Sequence, residues 1–346
     1  MVNIVNRQDV AKRLIEMDLY DMLEAFDKCS QNARVHFMFG GLLYLAMIIS
    51  GSVDWCNKAG IAVACYVDKE LMDKLRAKVK LYSNDDVIPL VDQIVLMQRI
   101  INVEKQYWLD LQAQSGIKCP KFLIPDIGTY SINDYFIGNT LGYAYEYSPL
   151  NPQGRPIIEV LFGASKEASL SYTLAMQLGQ TMQELYTNIS GSAYIQKNTG
   201  DQDISVTARD FRMGNRRFFK QRNAVFALNL YCRINYLLEL FLLVSKPKSM
   251  LTFRMMYVTF YHLKCDLDNF GLNCVHYNMP YRNKTFRNVM AHYSLFGKID
   301  DNEIIENVVG FGLFEKYFGV PFEVVNQALV DELRKTRDSL GKYVKI

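Results

Sequence analysis

Between Val35 and Val53 no side chain carries a formal charge unless His36 is protonated. Such a stretch leaves a chain few options. It can span a bilayer, which takes about 20 apolar residues, or it can be buried as a core helix. Gly40, Gly41, Ser50, Gly51 and Ser52 interrupt it, so its apolar part is shorter than the run. The expectation is a helix over residues 34–50 buried in a helical core. Anchoring in a membrane through residues 35–53 is the competing reading.

The rest of the chain repeats the helical period. Val10, Leu14, Ile15, Met17, Leu19, Met22, Leu23 and Phe26 mark one apolar stripe. Helices are also predicted over Lys69 to Tyr82, Asp86 to Gln114 and Ala164 to Asn188. Further runs lie near 205–245, 250–266, 280–296, 302–318 and 321–343. Residues 116–158 break the pattern with Pro120, Pro125, Pro149, Pro152 and Pro156. They read as a loop-rich insertion, with room for short strands or a lid. Its tyrosines, Tyr130, Tyr135, Tyr143, Tyr145 and Tyr147, are expected to pack rather than to stack on bases. The predicted fold class is therefore all-α. A helical N-terminal domain (1–200) with that insertion is followed by a C-terminal helical bundle (201–346). The polar segment 196–204 forms the boundary.

Half of the 346 residues are apolar and 22% are charged, which excludes disorder as the main state. The seven cysteines include no CxxC pair and sit among apolar residues, the usage of a reducing, cytoplasmic compartment. Asp9, Glu16 and Asp18 break up any secretory leader pattern at the start. The formal net charge is only +3, but it is unevenly spread. Residues 201–300 hold 15 lysines and arginines against 7 acidic residues, and the remainder is acidic. A basic third suits a polyanionic partner, or else a merely solvated face.

The segment Tyr281–Gly297 carries the most specific chemistry. Within it Arg287-Asn288-Val289-Met290-Ala291-His292 has the form arginine, polar residue, three residues, histidine. At about 100° per helical residue, Asn288 and His292 share a face, whereas Arg287 lies roughly 140° around the axis from His292. One helix thus aims imidazole and guanidinium at opposite edges, and two such helices across a two-fold axis would bring both into one cleft. A purely structural role, with local capping and a core histidine, fits the same three residues.

The motif resembles the signature of the HEPN superfamily, in which a late helix of a helical bundle carries Arg–polar–x3–His. The small residue before the histidine and the aromatic residue after it are also similar, and the resemblance covers about residues 205–345. It implies an endoribonuclease that needs no metal or other cofactor and works as a homodimer. Catalysis would fall to Arg287, Asn288 and His292. The 2′-hydroxyl of RNA would attack, His292 would move protons, Arg287 would clamp the phosphate and Asn288 would orient. The products would be a 2′,3′-cyclic phosphate and a 5′-hydroxyl. The resemblance further implies a toxin, an anti-phage effector or an RNA-processing factor, with a potential antitoxin or regulatory partner. A non-catalytic RNA- or protein-binding module on the same fold is the alternative.

Around the motif, Arg282, Lys284, Arg216 and Arg217 are candidate RNA contacts. His262, Cys265, Cys274 and His276 are the right residue types for a tetrahedral zinc site, at a spacing that matches no standard finger. The reading here is no metal, with those four as a weak zinc candidate. No phosphate-cradling glycine loop, Gly-x-Ser-x-Gly elbow or HExxH is present.

Overall fold

The uncharged stretch of the sequence is the middle of a long buried helix. In the computed structural model α2 runs Gln31–Lys58, and every residue from Phe39 to Val53 is buried. A helix apolar on all sides must be covered on all sides. The described residues are 7–29, 31–58, 60–62, 68–80, 129–150, 223–245, 248–291 and 312–346, with parts of 99–116, Lys166 and 209–210.

The covering elements come from both ends of the chain. Before α2 lies α1 (Arg7–Asp27), and after it α3 (Lys69–Ala77), which tightens into a 3-10 turn over Lys78–Lys80. Asp68 starts α3, accepting from the Glu70 and Leu71 amides at 2.9 and 3.2 Å. A second apolar helix, α5, spans Ala224–Asn235 and continues as π-helix through Tyr236–Phe241 and as α-helix through Leu242–Val244. Later in the chain follow α6 (Met250–Asn269), α7 (Lys284–Ala291), α8 (Gly312–Phe318) and α9 (Phe322–Val344). Among the described residues two helices are long and apolar enough to cross a membrane, at His36–Asn57 and Ala224–Val244, and the most apolar stretch of each is 83% buried inside the fold.

The two apolar helices touch where glycine permits it. Tyr236 packs onto Gly40 and Gly41, and its hydroxyl donates to the Phe37 carbonyl at 3.0 Å. Buried ion pairs tie the layers together. Arg233 of α5 pairs with Glu146, Arg254 of α6 with Asp18 of α1, and Arg337 of α9 with Glu239.

The loop-rich region contains what helical periodicity could not supply. β1 (Thr129–Ile132) and β2 (Tyr135–Asn139) form an antiparallel hairpin. Its two turn residues, Asn133 and Asp134, have φ of 48° and 68°, as a type I′ turn requires. Asn139 ends β2 and caps α4 (Thr140–Glu146), accepting from the Gly142 amide at 2.8 Å and donating to Asn229 at 2.7 Å. Strand β3 (Arg209–Asp210) joins β1 on its other edge. The protein is therefore mostly rather than entirely α. The helical run expected from 205 is also corrected, because residues 209–210 satisfy their backbone groups across the sheet and the helix begins at Ala224. Of the five tyrosines, Tyr130, Tyr143 and Tyr147 are buried among their own kind and Phe39, and the buried Tyr145 ring lies under the Lys78 ammonium.

The boundary segment 196–204 falls outside the described residues, as does the helix expected at 164–188 except for Lys166. Residues on both sides of that boundary contribute to one hydrophobic cluster, from Leu14 and Ile48 to Phe253 and Leu333.

Candidate functional site

α7 carries the motif, and four neighbours fix its position. Its start is set by Asn283, whose side chain accepts from the Phe286 amide at 3.0 Å, rather than by Pro280, which lies in the preceding turn. The Asn283 amide in turn donates to the Tyr257 hydroxyl of α6 at 3.1 Å, and that hydroxyl donates to the Tyr281 carbonyl at 2.7 Å. Phe286 is fully buried against Phe253, Tyr257, Phe314, Tyr317 and Phe318. Toward Ala291, Arg254 Nε of α6 donates to the Met290 carbonyl at 2.8 Å. Phe286, Val289 and Met290 face inward, so Arg287 lies at the edge of the buried face.

That edge borders a pocket. Arg287 and Ala291, one turn apart on α7, line it together with Val258 and His262 of α6, Met47 and Asp54 of α2, Asp73, Arg76 and Ala77 of α3, and Val79 and Lys80. Its volume is about 390 Å³, within the range of small-molecule sites. The Arg287 guanidinium lies 5.0 Å from the centre of the Tyr261 ring, and that of Arg282 lies 4.5 Å from the same ring. Two buried nitrogens on the pocket-lining residues, Arg287 Nε and His262 Nε2, have no hydrogen-bond partner. Orphaned donors or acceptors of this kind cost about 1–3 kcal/mol each unless something fills the space beside them.

The lining is electrically divided. Toward the start of α3, Lys69 bonds Asp54 at 3.0 Å and Asp73 at 3.1 Å, and Ser50 donates to Asp73 at 2.5 Å. Arg76 donates to Ser50 at 3.0 Å and to the Ala291 carbonyl at 3.4 Å, linking α3 to the end of α7. The other end gathers Lys80, His262 and Arg287.

Burial, then the positive charges of Arg287, Lys80 and Arg282, push the His262 imidazole down to about 3. At neutral pH it is an uncharged ring that can donate at one nitrogen and accept at the other. This has a consequence for stability. The unfolded chain takes up this proton near the ordinary value of 6.5 and the folded chain does not, so the imidazole's share of stability is lost as pH falls from 6.5 toward 3. The loss should reach about 2 kcal/mol at pH 5. Urea unfolding at pH 7 and pH 5 should show it, with the difference reduced in His262→Gln. Equal pH dependence in the two proteins would refute it.

Of the other candidates from the sequence, only some lie among the described residues. Asn288 is half-buried and is not among the residues lining the pocket. Lys284 is exposed at the first position of α7. His292 directly follows Ala291 and lies outside the described residues, as do Arg216 and Arg217. The zinc candidates do not converge. His262 faces the pocket, the His276 ring pairs with Glu332 at 2.8 Å, Cys265 accepts from Asn269 at 3.6 Å and Cys274 is exposed. Among the described residues no group of three or more histidine, cysteine, aspartate or glutamate side chains could hold a metal ion.

Sequence reasoning missed Arg76 and Lys80, and it set His262 in a different role. The only signal was the basic run from Lys74 to Lys80, inside the half of the chain that reads as acidic overall. No protein-family model, no curated protein and no solved structure matches this chain, so the residues themselves carry the functional argument.

Proposed function

We propose that the chain binds RNA and cuts it without a metal ion, through attack of the 2′-hydroxyl on the adjacent phosphate. Arg287 clamps the phosphate, His292 moves protons to and from the reacting oxygens, and Asn288 orients the imidazole or the phosphate. In this reading two copies of the chain pair, so that the arginine of one α7 and the histidine of the other reach one phosphate. The observation that supports it is the setting of Arg287. Its guanidinium is backed by Tyr261, keeps an unpartnered Nε and lines a pocket with Arg76 and Lys80. A half-buried arginine with no carboxylate bonded to it suits a transient anionic partner.

The test is cleavage of mixed RNA in EDTA. The wild-type protein should release fragments ending in 2′,3′-cyclic phosphate. His292→Ala and Arg287→Ala should each slow cleavage by about a hundredfold or more. Unchanged cutting by His292→Ala, or no cutting by the wild type on any RNA, rules out the nuclease. The second reading is a module that binds RNA or protein without cutting. The containment of Arg287 in a pocket built by a single chain favours it. That reading expects RNA retention to be weakened by Arg287→Ala and unaffected by His292→Ala.

A further inference from the structure

We propose that the pocket between α2, α3, α6 and α7 is a binding site for a small phosphate ester with a hydroxylated carbon skeleton, about the size of a pentose phosphate. It shares Arg287 with the RNA-cutting reading but does not depend on it. Three features of the pocket support it. First, one end is cationic. Arg287 and Lys80 flank a neutral His262, and Arg282 shares the Tyr261 ring with Arg287. A phosphate there would accept from the guanidinium and the ammonium, and the unpartnered Arg287 Nε marks a donor awaiting an acceptor, which His262 Nε2 joins in the tautomer that carries its proton there.

Second, the opposite end presents two carboxylates, with Lys69 and Arg76 beside them. The carboxylates of Asp54 and Asp73 are held in place by Lys69 and, for Asp73, by Ser50. Carboxylates fixed in this way still have free acceptor positions, which suit hydroxyl groups rather than a second anion. Asp73 and Lys80 are seven residues apart on one helical segment, so the two ends are separated by roughly 10 Å. Third, the walls between them are apolar, formed by Met47, Val79 and Val258. The cavity of about 390 Å³ is larger than a bare phosphate requires. A lone inorganic anion would leave the carboxylate end unused, and an uncharged sugar would leave the cationic end unused.

Calorimetric titration of the full chain at pH 7 with ribose 5-phosphate, inorganic phosphate and ribose tests the assignment. Ribose 5-phosphate should bind saturably and at least about fivefold more tightly than phosphate, with ribose showing no binding. Lys80→Glu and the gentler Lys80→Met should weaken ribose 5-phosphate by about tenfold or more, with thermal melts confirming that both variants fold. Asp54→Asn should reduce the preference for the ester over phosphate, and Lys248→Glu, distant from the pocket, should change nothing. Absence of saturable ester binding, or full affinity in folded Lys80→Met, overturns the proposal. Ester binding without RNA cutting by the wild type sinks only the nuclease, and the reverse sinks only the pocket.

Discussion

Replacing Arg254 with methionine is expected to lower the free energy of unfolding by about 3–5 kcal/mol. Arg254 and Asp18 are 4% and 1% exposed, so the substitution strands a carboxylate in the core between α1 and α6. It also removes the donor to the Met290 carbonyl, a bond that ties α6 to α7. The loss should therefore be larger than for an exposed pair such as Lys248–Glu323, where removal of either partner is expected to be nearly neutral. Replacing both partners, Asp18→Leu with Arg254→Met, should recover much of the loss, because the desolvated charge disappears with its partner. Chemical denaturation of the two single variants and the double variant provides the measurement. A single variant within 1 kcal/mol of wild type, on the scale expected for a surface pair, would show that the buried pair does not hold α1 to α6. Hydrogen exchange should localise part of the effect to the amides of 284–291, which links this ion pair to the position of Arg287.

Gly40→Ala is the second large effect, with an expected loss of about 3 kcal/mol, at the upper end for overpacking. A methyl group on Gly40 would overlap the ring of Tyr236, and the atoms it meets belong to the ring itself. That ring cannot readily yield. It is fully buried, stacked 6.3 Å from Tyr44, and its hydroxyl is committed to the Phe37 carbonyl. Elsewhere in a buried helix, glycine to alanine would normally help through propensity, so the sign of the change tests the close approach. In a Tyr236→Leu background the same substitution should cost clearly less. An equal cost in both backgrounds would place the strain elsewhere.

How much of this was legible from residue order varies by element. α2 follows from its uncharged run, and α3, α6 and α9 follow from apolar spacing. The hairpin was not legible, although Asn133-Asp134 is a turn pair that positive φ favours. The prolines around it masked two short strands whose four- and five-residue lengths carry little periodic signal. Arg209–Asp210 could not be read as a strand at all, since two residues have no pattern and owe their conformation to β1. For the site, Arg287 was found from its spacing to His292, which lies outside the described residues, and its neighbours Arg76, Lys80 and His262 had no signal tying them to it in the sequence.

Local physics sets what the residue order determines by itself: helical runs, the burial of 39–53, the position of Arg287 on a late helix, and the concentration of basic charge in 201–300. These depend on interactions within a few residues or on composition. Tertiary packing alone brought His262 beside Arg287, set Arg76 and Lys80 from the acidic half of the chain around them, and spread the zinc-like quartet over separate surroundings. Those outcomes rest on contacts between residues up to some two hundred positions apart, such as Arg76 to Ala291 and Tyr236 to Phe37. Such contacts form because large apolar faces must find one another, and the polar side chains at their edges are carried along to wherever that packing places them.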